Sequence, residues 1–443
     1  MSVFLSSCLA VATLATGPGP APPPSRPDAV LEQLLAEAEA AAPELRAARA
    51  ETAAAEQRPD QAGALPDPSV SVTWINDGWA PSLGERDMST LEVMLSQTLP
   101  ASGQRGLLRQ RAASDAALVG TRAEATRRVL RAAVKRAWAG LRQARAELLL
   151  AREQRELLAQ IEGVARARYA VGQGGQQDVL RAQVELTRVE TRLATLEAEA
   201  NQRLAEINRR VGRDLAAPLA AGASDALALQ LDPVGDDDQA WLASLSAESP
   251  ELQAQATSQE GARLDLELAR KAAKPGWGFE AGYANRGGLD PMWRAGLSLS
   301  LPLRRGRLDA GVAEAEARRR SAEARRQALQ ADLALFVRQR LLALRAVERS
   351  VTVYEQGLLP QGQLSVEAAV ASYQAGKAPF VTVLEAQTSL YADRSTLLRL
   401  RAGHATLRAG LEEIQVEASD LPSPEPASVA GSGPTGTAMS MGR

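Results

Sequence analysis

The chain has 443 residues, of which 51 are basic and 53 acidic, and it contains one histidine and one cysteine. Zinc sites, Cys–His pairs and disulfide frameworks need more of these two residues, so we expect no metal centre, no cofactor and no thiol chemistry. The formal net charge of −2 argues against a general nucleic-acid binder. Aromatic residues make up only 3%, whereas alanine, leucine and arginine are abundant, a composition that favours long helices packed through small side chains.

The two ends of the chain differ in composition from the rest. Residues 1–27 begin with small apolar side chains and continue into a proline-rich linker, which resembles a signal peptide without a basic start. Leu5-Ser6-Ser7-Cys8 also fits the pattern before a lipid-modified cysteine, so Cys8 is either a lipidation site or an ordinary signal residue. Residues 419–443 are rich in Pro, Ser, Gly and Thr without periodicity, which predicts a disordered tail.

An internal duplication organises the remainder of the chain. Tyr169-Ala-Val-Gly172 recurs 204 residues later as Tyr373-Gln-Ala-Gly376, and further matches keep the same order along the chain. They pair Val179-Leu180-Arg-Ala182-Gln183 with Val383-Leu384-Glu-Ala386-Gln387, and Pro43-Glu44-Leu45 with Pro250-Glu251-Leu252. This order predicts two structural repeats. The predicted units are a first repeat at 28–215, an irregular connection at 216–239 and a second repeat at 240–418.

Each repeat contains two short segments in which apolar and polar residues alternate, the pattern of strands with one apolar face. Each pair predicts a β-hairpin, so the chain supplies four strands. The alternating segments are 70–74, 91–96, 277–284 and 295–301, and the loops within the pairs are Asn76–Arg86 and Asn285–Met292. Six aromatic residues lie in or beside the hairpins and suit the rim of a membrane barrel, namely Trp74, Trp79, Trp277, Phe279, Tyr283 and Trp293.

Helical patterns surround the hairpins. A short helix precedes each hairpin and a long helix follows it, and each long helix leads through a glycine-containing turn into a return helix. At ~1.5 Å per residue, a long helix would extend for about 100 Å. The predicted helices are 43–58, 103–169 and 176–212 in the first repeat, and 250–271, 306–373 and a return helix after Pro379 in the second. Because no segment approaches 18 uninterrupted apolar residues, we expect no transmembrane helix.

Four strands per chain cannot close a barrel. An open sheet edge in lipid leaves unpaired backbone groups, each of which costs several kcal/mol. The chain must therefore oligomerise if the hairpins enter a membrane. A trimer would supply twelve strands, which lies within the range of outer-membrane barrels.

The order of hairpin, long helix, Tyr-x-x-Gly turn and Val-Leu-x-Ala-Gln return helix, given twice, resembles the TolC family of outer-membrane efflux proteins. The resemblance covers roughly residues 28–418 and includes Leu65-Pro66-Asp67-Pro68 and Leu301-Pro302-Leu303. It implies a mainly α-helical fold with β-hairpins, and a homotrimer with a twelve-stranded barrel in outer-membrane lipid and an α-helical periplasmic tunnel. It also implies two partners: a periplasmic adaptor (membrane fusion) protein and an inner-membrane pump, such as a resistance-nodulation-division or ABC transporter.

The same resemblance implies that the tunnel closes at its periplasmic tip, at the two helix turns marked by Tyr169, Gly172 and Gly376. The family's gate uses an Asp and a Tyr, which are matched in this sequence by Asp178 and Tyr373. Two simpler interpretations stay open. In the first, Tyr169 and Tyr373 only pack against the helix turns. In the second, Asp178 is present because a carboxylate is favourable near a helix N-terminus.

Other positions depart from the family's gate. Ala378 stands where the family has an Arg, with Lys377 beside it. The family's two constriction carboxylates fall on Thr382 and Glu385, so one of them is kept, as a glutamate. Three Glu385 side chains around one threefold axis would concentrate cations in the constriction.

The sequence predicts a duct and not an enzyme, because its carboxylates are not paired in a way that suggests acid–base catalysis. The exported substrate stays open among metal ions, other small molecules and proteins. The Leu-Pro-Asp-Pro sequence and Gln97-Thr-Leu-Pro100 look closer to the heavy-metal branch of the family than to its drug or protein exporters. The alternative function is a soluble periplasmic coiled-coil scaffold, built from the same helices without a membrane barrel.

Overall fold

The computed structural model of the chain describes residues 29–77, 79–83, 88–219 and 231–414. The signal-like segment with Cys8, the predicted tail, and parts of the loop at 76–86 and of the connection at 216–239 lie outside the described residues. Within the described ranges, no helix is long and apolar enough to cross a membrane.

Helices make up most of the described structure. The range predicted for the first repeat contains α1 (Ala29–Ala41), α2 (Pro43–Ala55), α3 (Arg58–Gly63), α4 (Gln104–Ala170) and α5 (Gln176–Val211). Next comes α6 (Asp238–Glu248), which begins within the predicted connection, and then α7 (Pro250–Lys271), α8 (Arg305–Val353), α9 (Leu359–Gln374) and α10 (Phe380–Glu412). Helix α4 has 67 uninterrupted residues and extends for about 100 Å, which confirms the predicted long helix. Helices α1, α3 and α6 were not predicted, and the predicted helix at 43–58 ends earlier, at Ala55.

The second long helix differs from the prediction, because it is not one continuous α-helix. A five-residue π-helix at Tyr354–Leu358 separates α8 from α9. Pro360 lies in the first turn of α9 and has no backbone N–H to donate to the preceding turn. A π-helical segment lets the chain pass this position without leaving the helix axis, since such bulges change the hydrogen-bond register within a helix.

Four strands form one antiparallel sheet, in the order β1 (Ser69–Ile75), β2 (Thr90–Leu99), β3 (Gly276–Arg286) and β4 (Leu289–Ser300). Both predicted hairpins are confirmed, and pairing of β2 with β3 joins the two repeats. The predicted loop at 285–292 was too long. The strands continue to Arg286 and resume at Leu289, because Gly287 adopts a φ of 63° and permits a two-residue turn.

The sheet has one apolar face and one face of small and polar residues. Directly paired residues of antiparallel strands share a face, so each register row can be assigned to one side. One row contains Val72, Val93, Tyr283 and Trp293, and the neighbouring row contains Ser71, Met94, Gly282 and Arg294. The apolar row is exposed in the single chain, with Val72 65% and Trp293 80% accessible.

The long helices pack side by side through small and branched residues. Helix α4 packs along α5 and along α10, and α10 packs along α8 and α9. On α5, Val189, Leu193 and Leu196 are spaced by three and four residues, as in a coiled-coil seam, and they are buried against Ala151 and Leu158 of α4. This packing carries the ends of both helical hairpins to one place, about 100 Å from the sheet.

Candidate functional site at the helix-turn tip

Two turns form the end of the molecule farthest from the sheet, and together we call them the tip. The first turn runs from Tyr169, at the end of α4, to residue 175 before α5, and the second runs from Tyr373, at the end of α9, to residue 379 before α10. Gly172 and Gly376 have φ values of 73° and 74°, a left-handed conformation that favours glycine. Each glycine N–H donates to the carbonyl of the tyrosine three residues earlier, at 3.0 and 2.9 Å.

An apolar cluster holds the two turns together. It contains residues from all four helices that meet there, and the buried members are Ile161, Ala165, Ala182, Ala369, Tyr373, Phe380 and Val383. Phe380, the first residue of α10, is only 1% exposed and its ring lies 5.2 Å from that of Tyr373, at an interplanar angle of 62°. This edge-to-face arrangement is a favourable geometry for two aromatic rings.

Tyr373 lies at the centre of this contact and is 4% exposed. Its hydroxyl donates a hydrogen bond to Oδ2 of Asp178, in the first turn of α5, at 3.3 Å. Burial of the ring raises the pKa of Tyr373, the adjacent Asp178 carboxylate raises it further, and the positive charge of Arg168 partly opposes both. Tyr373 is therefore neutral at physiological pH and acts as a hydrogen-bond donor.

Arg168 is the residue that the sequence analysis missed. From the last turn of α4 it donates through Nη2 to the Gln173 carbonyl at 3.0 Å, and through Nη1 to the carbonyls of Gln374, at 2.9 Å, and of Tyr373. Its guanidinium carbon also lies 4.8 Å from the centre of the Tyr373 ring, within cation–π range. Arg168 thus contacts both turns.

The structure brings only some of the predicted gate residues into contact with one another. Asp178 and Tyr373 meet, as the family resemblance implied, whereas Lys377, Thr382 and Glu385 are exposed and lie outside the apolar cluster. One sequence signal could have identified Arg168. It is a basic residue in the last turn of a helix, one position before the Tyr-x-x-Gly turn, where a positive charge is stabilised by the partial negative charge of the helix C-terminus.

The predicted aromatic residues occupy two levels of the sheet's apolar face. Trp277 and Phe279 lie near the strand ends that adjoin the helices, and Tyr283 and Trp293 lie toward the loops, with ring centres 4.9 Å apart. Trp74 lies at the loop end of β1 and Trp79 follows it in the loop. All six side chains are exposed in the single chain, Trp79 completely. On the opposite face, Arg294 pairs with Glu92 at 3.0 Å.

No group of three or more His, Cys, Asp or Glu side chains in the described ranges is arranged to hold a metal ion. The tip offers hydrogen bonds and charge between neighbouring helices. Its chemistry is suited to holding helices together.

Comparison with known proteins gives one family and one fold. The family model for outer membrane efflux proteins matches residues 34–213 and 241–414. A solved membrane protein from Pseudomonas aeruginosa is 21% identical, with 87% of this chain and 92% of that chain covered and a TM-score of 0.72. No curated protein matches the chain by sequence.

Two further solved structures share the fold. The open state of the Neisseria gonorrhoeae MtrE outer membrane channel is 17% identical over 86% of this chain and 88% of its own, with a TM-score of 0.71. The Vibrio cholerae outer membrane protein VceC is 19% identical over 86% of this chain and 94% of its own, with a TM-score of 0.68. Because the family model covers most of both repeats, the chain belongs to the outer membrane efflux protein family, whose members are exit ducts of efflux systems.

Proposed function

We propose that three copies of this chain form a duct that crosses the outer membrane as a twelve-stranded barrel and continues into the periplasm as a tunnel of long helices. The observation that carries the proposal is a four-stranded sheet with an exposed apolar face beside helices about 100 Å long. Strands β1 and β4 each pair with one neighbour only among the described strands, so each has a free edge. In lipid, those edges need strands from other copies.

The dimensions of the apolar face support a membrane location. Trp277 and Tyr283 are on the same face of β3 and are about 20 Å apart along the strand, at ~3.3 Å per residue. Outer-membrane barrels carry an apolar band of about 25 Å between two girdles of aromatic residues. The aromatic residues of this sheet fit those two girdles.

Exposed apolar side chains on the helices support association of copies along the tunnel. Leu180 and Val184 on α5 are each more than half exposed, as are Leu335 on α8 and Leu364 on α9. Helix α5 packs along α4, whereas α8 and α9 pack along α10. Packing of α5 against α8 and α9 of a neighbouring copy would bury both sets of side chains.

The family supports the remaining parts of the proposal. The duct would receive its cargo, small molecules or metal ions, from an inner-membrane pump of the resistance-nodulation-division or ABC type through a periplasmic adaptor. The tip would close the duct, with the Asp178–Tyr373 hydrogen bond holding the two helical hairpins together. Glu385, exposed on the first turns of α10, would line the constriction.

A membrane fractionation experiment tests the duct against the soluble scaffold. The duct requires the mature protein to fractionate with the outer membrane, to need detergent for extraction, and to have the mass of a trimer in detergent. A scaffold would be released without detergent.

A matched pair of variants sharpens this test. Val72→Arg places a charge on the apolar face of β1, where it costs about 2–4 kcal/mol at the bilayer centre, and Ser71→Arg places the same charge on the opposite face. We expect Val72→Arg to reduce the outer-membrane fraction and Ser71→Arg to preserve it. Equal behaviour of both variants would contradict the barrel.

A further inference from the structure

We propose that Arg168 is the residue that keeps the duct closed in this protein, by binding both turns of the tip at once. The proposal rests on the duct described above and assigns its closure to a residue of the first outgoing helix. We call the contact of the Arg168 guanidinium with the carbonyls of Gln173, Tyr373 and Gln374 the Arg168 clamp.

The geometry of the clamp suits an arginine and no other side chain. A guanidinium presents donors in a rigid plane, so its two Nη groups can serve acceptors on two different turns. Nη2 binds the first turn and Nη1 binds the second, at the distances given above. Nε is buried without a hydrogen-bond partner among the described residues, so the two Nη groups carry the contact. A lysine ammonium carries the same charge but lacks this fork of two Nη donor groups in one plane.

Helix ends explain why a cation is needed at this place. Helices α4 and α9 both end at the tip, at Ala170 and Gln374, and a helix C-terminus carries a partial negative charge. Two such ends side by side repel each other. Arg168 lies in the last turn of α4 and binds carbonyls from the last turn of α9, so one positive charge offsets both negative ends.

Tyr373 is held by two opposite charges from the first repeat. Asp178 accepts a hydrogen bond from its hydroxyl, while Arg168 lies over its ring and donates a hydrogen bond to its carbonyl. Separation of the two helical hairpins at the tip must break all of these contacts together. Gly376 lies within the same contact, and a Cβ at this position would lie 3.4 Å from an Nη atom of Arg168.

Planar-bilayer recordings of the purified full-length protein test the proposal. We expect Arg168→Ala to raise the ratio of open to closed time about tenfold or more, because the variant loses every hydrogen bond that the charged guanidinium makes to the two turns. Arg168→Lys should give an intermediate increase, because it keeps the charge and loses the fork. Arg166→Ala is the matched control: Arg166 is on the same helix turn, but it pairs with Glu162 of its own helix. It should leave the ratio unchanged.

A second measurement separates failure of the clamp from failure of the duct. Hydrogen exchange of the backbone amides at 373–384 reports the docking of the second turn whether or not the protein conducts. We expect faster exchange in Arg168→Ala and Arg168→Lys, and no change in Arg166→Ala. If the amides of both Arg168 variants exchanged no faster than those of the wild type, the clamp would be overturned. Absence of conductance in the wild type, with exchange still accelerated in the variants, would overturn the duct and leave the contact intact.

Discussion

The two turns of the tip have the same local structure and different surroundings. Both follow a Tyr-x-x-Gly sequence, and their glycines have φ values one degree apart. Yet Tyr169 is 47% exposed, whereas Tyr373 is 4% exposed. The shared motif therefore specifies how the chain turns, and it does not specify whether its tyrosine joins the two hairpins.

The difference arises from residues beside the motif. Helix α10 begins with Phe380, which packs on Tyr373, whereas the equivalent first residue of α5 is Gln176, which is exposed. Arg168 precedes Tyr169, whereas Ser372 precedes Tyr373. The first repeat thus supplies the charged groups and the second supplies the aromatic rings, so the two copies are complementary.

Alanine substitution of the two tyrosines should give the largest difference in stability between the two turns. Tyr373→Ala leaves a cavity beside Phe380, so we expect a loss of about 3–5 kcal/mol of local stability. Tyr169→Ala removes a half-exposed ring and should change stability by about 0.5 kcal/mol or less. Native-state hydrogen exchange at the start of α10 measures both. Similar effects from the two variants would mean that the turns are equivalent.

The next largest effect should come from removing the charge at two matched positions of the repeats that carry opposite charges. Glu385 in the second repeat corresponds to Arg181 in the first, and both are exposed. If Glu385 lines the constriction, Glu385→Gln should weaken block by divalent or trivalent cations several-fold in planar bilayers, since three carboxylates would be lost from the ring. Arg181→Gln is the control and should leave cation block at the wild-type level. Unchanged block in Glu385→Gln would remove that residue from the constriction.

The hydroxyl of Tyr373 should contribute less than its ring. Tyr373→Phe keeps the ring and removes the hydrogen bond to Asp178, which costs about 1 kcal/mol. Asp178→Asn weakens the same bond from the other side. In a double-mutant cycle the two substitutions should be non-additive, because each removes the same interaction. Fully additive effects would indicate that Asp178 only stabilises the N-terminus of α5.

The smallest effect should appear at alkaline pH. The pKa of Tyr373 is raised above its ordinary value of about 10, so its folded state favours the protonated form. The stability that the hydroxyl contributes is complete below pH 10 and is lost as the pH rises through the raised pKa. The open fraction of the wild-type channel should therefore increase above pH 10. Tyr373→Phe, which keeps Arg168 and Asp178, should lack this dependence.

Much of the fold follows from local sequence patterns. Alternation predicted the hairpins, a proline-free run predicted α4, and the repeated glycines predicted both turns, because each feature depends on neighbouring residues. The π-helix depends on how the chain accommodates Pro360 within a packed helix, and the pattern around it gave no indication. The length of the β3–β4 loop was overestimated because Gly287 and Gly288 allow a tight turn between longer strands.

The candidate site was only partly predictable for a different reason. Asp178 and Tyr373 were found through a family resemblance at matched positions. Arg168 occupies a position where the resemblance placed no function, and it acts across two segments that are distant in sequence. Only the packing of α4 beside α9 and α10 brings its guanidinium to the second turn.

The conductance of the detergent-purified mature protein in planar bilayers tests the central claim most directly. The duct predicts that the trimer inserts and gives discrete ion-conducting events, more frequent in Arg168→Ala than in the wild type. A monomeric or dimeric protein that never conducts, in the wild type or in any tip variant, would contradict the duct and favour the soluble scaffold.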